Sequence, residues 1–154
     1  MDKMVIVSGW GNCGKTTSTN LVIYKLIEQG YIVVSSSNGV FWNKLNASGE
    51  RTTGGFVILQ KDGKKIAVIT FGDIVSDVDS VMKSIDSEEI DCLVCCSRAA
   101  KGKRVFEYFH SDVVGKTDID KVKILPIYKN LISYHNRNDK ENEQLSQIIV
   151  DWIV

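Results

Sequence analysis

The feature that most constrains this chain is a glycine-spaced octet, Gly9-Trp10-Gly11-Asn12-Cys13-Gly14-Lys15-Thr16, set between a short apolar run and a helix-like pattern. Met4-Val5-Ile6-Val7 before it is apolar and largely β-branched, which predicts a buried parallel strand. Leu21, Val22, Ile23, Leu26 and Ile27 after it supply the apolar side of a helix that Gly30 can end. Between strand and helix the chain must turn tightly, and glycine alone reaches positive φ there without a steric cost.

The octet fits G-x-x-x-x-G-K-[ST]. A loop free of side chains at its tight points can wrap its backbone N–H groups round a polyphosphate. A helix opening at Lys15 adds unpaired N–H groups and the positive end of its dipole. Lys15 is placed as a point charge against β- and γ-phosphate oxygens, and the hydroxyl of Thr16 as a ligand for Mg²⁺. The bland alternative is a glycine-rich turn that binds nothing, but such a turn has no use for Lys-Thr at these positions. Residues 4–30 resemble the Walker A segment of the P-loop NTPases and kinases. That resemblance implies nucleotide contacts from Gly9, Trp10, Gly11, Asn12, Cys13, Gly14, Lys15, Thr16 and Thr17, with ATP or GTP as ligand and Mg²⁺ beside it.

With 154 residues, 44% of them hydrophobic, the chain is long enough for one domain with a real core, and one domain over 1–154 is expected. Nineteen basic and nineteen acidic residues cancel, so no global field points to nucleic acid or an anionic membrane. Met1 to Val7 is too short for a secretory signal and nothing approaches a membrane span, so a soluble, cytoplasmic protein is expected. Cys92, Cys95 and Cys96 share one strand-like run in which neighbours point to opposite faces. Buried free thiols therefore fit better than a metal site. Asn46-Ala47-Ser48 matches a glycosylation sequon, which without a secretory signal is chance.

Along the chain, Tyr31 to Ser35 reads as a second strand, and a strand–loop–helix–strand unit places the chain in the α/β class. Residues 36–55 are polar and glycine-punctuated, with a small apolar cluster at Val40, Phe41, Trp42 and Leu45 and candidate anion contacts at Lys44 and Arg51. Phe56–Gln60 and Lys65–Phe71 flank Asp62-Gly63, a hairpin signal. The second arm ends in Gly72-Asp73, where a carboxylate past an apolar strand suits Mg²⁺; alternatively Asp73 caps the helix that follows. Asp77 and Asp79 are reserves for the metal role. A helix is predicted over 76–85, and Ile90–Ser97 as a central strand buried on both faces. Arg98, Lys101, Lys103 and Arg104 follow that strand on the rim where open α/β sheets bind ligands, and Arg98 is the candidate for stabilising phosphoryl charge. A short helix over 105–110, an edge strand over 122–128 containing Pro126, and a closing amphipathic helix through Leu145, Ile148, Ile149, Trp152 and Ile153 complete the chain. His110 and His135 have no neighbours that would make a ligand set.

The expected fold is a three-layer α/β P-loop domain, its mostly parallel sheet of about five strands carrying the 56–71 hairpin as an antiparallel edge. The order of parts resembles that of small P-loop kinases. The resemblance implies transfer of the γ-phosphoryl group of ATP to a nucleoside, nucleotide or small metabolite held near residues 36–55, with Lys15, Asp73 and Arg98 as catalytic residues and Thr16 and Asp73 on the metal. Two alternatives stand beside it. Thr52 and Thr53 leading into the hairpin are similar to the switch region of small GTPases, although Gly115-Lys116-Thr117-Asp118 lacks the asparagine of a guanine-reading N-K-x-D. The other is a nucleotide-binding regulatory protein with little turnover.

Overall fold

The computed structural model describes residues 1–9, 14–37, 55–72, 74–98, 103–113, 121–127 and 139–154. Its strands are β1 (Lys3–Gly9), β2 (Ile32–Ser36), β3 (Phe56–Lys61), β4 (Lys64–Ile69), β5 (Cys92–Arg98) and β6 (Lys121–Ile127). Its helices are α1 (Lys15–Glu28), α2 (Val75–Ile85), α3 (Lys103–Glu107), which continues as a π-helical turn over Tyr108–Val113, and α4 (Asp139–Ile153).

The strands form one six-stranded sheet in the order β2-β3-β4-β5-β1-β6. β1 pairs in parallel with β5 and β6, β4 in parallel with β5, and the β2–β3 and β3–β4 pairs are antiparallel. β3 alone therefore runs against the rest. The hairpin formed by β3 and β4 is interior and not the expected edge, because β2 adds to its outer side. β2 is parallel to β1 but lies beyond β3, β4 and β5. Asp62 and Gly63 at the hairpin turn both have positive φ, 50° and 81°, the type I′ geometry whose twist suits a two-residue loop.

β5 is buried from Cys92 to Ser97, and its alternation divides the core in two. On one face Val5, Val7 and Val94 pack with Val22 and Leu26 of α1 and with Leu145 and Ile149 of α4. On the other, Met4, Ile6, Leu93 and Cys95 pack with Val78 and Ile85 of α2 and with Phe109 of the π-turn. Burial of each such side chain stabilises by about 1.5–3 kcal/mol, so the sheet is anchored from both sides. In α4 the buried apolar positions are Leu145, Ile149, Val150 and Ile153, whereas Ile148, expected on the same face, is 50% exposed. α1 ends in a Schellman motif: Gly30 at φ 91° donates to the Ile27 carbonyl and Tyr31 to that of Leu26. β6 lies at a sheet edge, where the missing N–H of Pro126 costs no central ladder bond.

Cys92, Cys95 and Cys96 are free and buried. Burial pushes the Cys92 thiol above its usual 9.0 and Cys95 well above it. In the folded chain these thiols stay neutral where the unfolded chain would ionise them, so stability is unaffected below about pH 9 and falls as pH rises beyond it, by up to about 1.4 kcal/mol per unit for each thiol. Thermal unfolding between pH 8 and pH 10.5 is expected to show this decline, with a shallower slope in Cys95→Ala.

Candidate functional site

β1 delivers Gly9, buried, at the C-terminal end of the sheet, and α1 begins six residues later, at Lys15. Trp10, Gly11, Asn12 and Cys13 lie outside the described residues. Gly14 is the N-cap of α1 in the left-handed region, φ 96° and ψ 11°. A Cβ there would also stand 2.4 Å from Asn142 Oδ1, so two independent reasons exclude a side chain. Asn142 belongs to the first turn of α4, is 3% exposed, and its Oδ1 accepts a hydrogen bond from Ser18 Oγ at 3.3 Å. Gly14 thus lies against the start of the C-terminal helix.

Lys15 is only 8% exposed and its Nζ donates to the Gly9 carbonyl at 3.1 Å, drawing the two ends of the turn together. Thr16 Oγ1 donates across the sheet end to the Thr70 carbonyl at 3.0 Å, just past β4. Thr17 is half-buried beside it. No acidic side chain stands in the first turn of α1 and no side chain caps it, so the positive end of its dipole is not countered locally.

β5 separates β4 from β1. Past β4, Gly72 lies so close on the end of β5 that a Cβ would stand 1.8 Å from the Cys96 carbonyl oxygen. The Gly72 carbonyl accepts from Arg98 N at 3.1 Å, and Arg98 is in register with Gly9 of β1. Gly72 therefore sits one strand away from the phosphate-loop candidate, and Arg98 is exposed on the rim between them. Asp73 itself lies outside the described residues. The N-cap of α2 falls at Ile74, with no side-chain cap, and the capping role considered for Asp73 falls outside the described residues.

The reserve carboxylates stand elsewhere. Asp77 is exposed on the first turn of α2. Asp79 pairs with Lys83 Nζ at 2.7 Å and accepts from Tyr108 Oη at 3.1 Å. The Lys83 bond and then the Tyr108 bond hold its carboxyl below the usual range, while burial first and the Asp79 bond second push Tyr108 up to about 12. That cluster joins α2 to the turn after α3. His110 is exposed and stacked on Phe106, with ring centroids 5.6 Å apart. Lys44, Arg51, Lys101 and His135 lie outside the described residues, and Lys103 and Arg104 open α3.

Gly9, Gly14, Lys15 and Thr16 are thus brought together with the rim carrying Arg98. Thr70 and Asn142 join them without having been singled out in the sequence. Thr70 ends a β-branched run that reads as ordinary strand, and Asn142 reaches the turn from 124 residues beyond Ser18, a separation no local pattern signals. Among the described residues no group of three or more His, Cys, Asp or Glu side chains gathers in a way that would hold a metal ion, and no helix is long and apolar enough to cross a membrane. Comparison with protein-family models, with curated proteins and with solved structures finds no match to this chain.

Proposed function

We propose that this chain is a P-loop protein that binds a nucleoside triphosphate, ATP or GTP, with Mg²⁺, and acts as a small kinase on a nucleoside, nucleotide or small metabolite. The observation that carries the reading is the placement of Lys15, a nearly buried ammonium turned onto the Gly9 carbonyl across a turn bounded by Gly9 and a left-handed Gly14. An ammonium at this place can make charge-assisted bonds to phosphate oxygens entering the turn. Lys15 and the loop amides then hold the β- and γ-phosphates, and the helix dipole of α1 acts in the same direction.

Mg²⁺ takes oxygen ligands, keeps several waters and needs no dense carboxylate cluster. Thr16, with its hydroxyl at the sheet end, and Asp73, next to Gly72 over β5, are the residues to hold it. Bound there, the ion would neutralise charge on the phosphates. Helices on both faces of a mostly parallel sheet, with the site beyond the C-terminal ends of its strands, support a three-layer P-loop fold. Arg98, at the end of the strand between β1 and β4 and in register with Gly9, lies on the rim where a guanidinium can stabilise transferring oxygens. β2 ends and β3 begins at the same end of the sheet as Gly9, which supports an acceptor region near residues 36–55.

Titration with ATP and GTP in magnesium buffer tests the binding step, and a panel of nucleosides, nucleotides and small metabolites tests the transfer. One acceptor is expected to accelerate triphosphate consumption and to appear as a phosphorylated product. Phosphate release independent of any acceptor would identify an NTP-hydrolysing switch instead, and tight binding without turnover a regulatory protein. Absence of binding by either triphosphate would end the proposal.

A further inference from the structure

We infer that Thr70 is the positioning residue for the metal-binding hydroxyl of Thr16, an assignment that rests on the phosphate-loop reading above. Thr70 follows β4 and is fully buried. Its amide donates to the Gly55 carbonyl at 2.9 Å, its hydroxyl donates to the same carbonyl at 3.1 Å, and the Gly55 amide donates back to that hydroxyl at 2.9 Å. These bonds occupy both the donor and an acceptor site of the side chain, and they hold the residue in one rotamer and one backbone orientation. Its remaining polar group, the carbonyl, accepts the proton of Thr16 at 3.0 Å.

A hydroxyl has one proton and two lone pairs, and a magnesium ligand must present a lone pair. A threonine in a helix can instead turn its hydroxyl back to a carbonyl of its own helix. Thr19, one turn later, does this, bonding the carbonyls of Lys15 and Thr16 at 3.0 and 3.1 Å. Thr16, the second residue of α1, has no carbonyl of that helix three or four residues behind it and donates to a carbonyl 54 residues distant. With its proton fixed on Thr70, its lone pairs are left for the side where the phosphates and the ion would lie. The Gly55 bonds are what keep the Thr70 carbonyl in place, so the side-chain hydroxyl of Thr70 acts on the metal through Thr16 without touching it. The residue past β4 that serves the metal in this way is Thr70, a role distinct from the direct ligation assigned to Asp73.

Thr70→Val keeps the shape and removes the hydroxyl, and Thr70→Ser restores it. ATP affinity measured by calorimetry in EDTA and over a magnesium series separates phosphate capture from metal ligation. In Thr70→Val the affinity in EDTA is expected to stay at the wild-type value, while the magnesium concentration giving half the metal-dependent gain rises about tenfold, the usual cost of losing a residue that orients a ligand. Thr70→Ser should return it to the wild-type value. Thr16→Ala should abolish the gain, and Thr16→Ala combined with Thr70→Val should be no worse than Thr16→Ala alone. Should Thr70→Val not fold, Thr70→Cys, which fills the same space with a weak hydrogen-bonding group, carries the same expectation. A variant of lowered thermal midpoint that keeps the wild-type magnesium dependence would overturn the inference and leave phosphate binding standing. A wild type that binds no ATP in either buffer would overturn both.

Discussion

Lys15→Ala is expected to weaken triphosphate binding by roughly 100-fold while lowering the thermal midpoint by only about 3 °C. The two effects separate because the lysine has a modest part in the fold and a large one in the proposed complex. Its bond to the Gly9 carbonyl, at 3.1 Å, is a charge-assisted contact that water can replace once the side chain is gone. Against phosphate oxygens the same ammonium would make charge-assisted bonds in a site where it is only 8% exposed, and a charged partner lost from such a place costs about 3 kcal/mol. Lys15→Arg is expected to fare little better. A guanidinium is larger and planar, and the path from the start of α1 to Gly9 accommodates a compact ammonium. Calorimetric titration beside a thermal melt reads both quantities, and affinity equal to wild type in Lys15→Ala would remove the basis of the functional proposal.

Gly72→Ala carries the largest expected cost to the fold. The added methyl would stand 1.8 Å from the Cys96 carbonyl oxygen and 2.4 Å from its carbon, both in the backbone of a central strand. No rotamer relieves such a clash, because Cβ has none. Either β5 shifts or the crossing from β4 lifts away from it, and the hydrogen bond from Arg98 N to the Gly72 carbonyl goes with it. A destabilisation of about 3 kcal/mol is expected, or roughly 10 °C in thermal midpoint for a chain of this size. Denaturant unfolding measures it directly. A variant as stable as wild type would show that the crossing does not press on β5.

Much of the local structure was legible from residues alone. The run before Gly9, the helix from Lys15 to the Gly30 stop, the Asp62-Gly63 turn and the buried β5 each follow from a pattern only a few residues long. Where strands sit relative to one another is not written at that range. A hairpin signal states that β3 and β4 pair, and is silent on β2 joining the outer side of β3 and on β5 entering between β4 and β1. Gly72 looked like an interruption displacing Asp73 from its strand; its reason is the crossing over Cys96, a contact with a segment more than twenty residues later. The short helix expected over 105–110 ends at Glu107 and passes into a π-turn over Tyr108–Val113, whose spacing follows neither the helical nor the strand period. At the site, Gly14, Lys15 and Thr16 announced themselves through fixed spacing. Thr70 and Asn142 did not, since each is placed by packing against a partner far along the chain.

The hold of Gly9 on Lys15 also bears on how quickly an anion is captured. A lysine side chain free in water gives up on the order of 2 kcal/mol of rotational freedom when it is immobilised. Here that loss falls within folding, since the ammonium is already stationed at the mouth of the turn. Capture of the proposed triphosphate would then draw on a cation already in place, and its speed would not depend on the search of a long side chain.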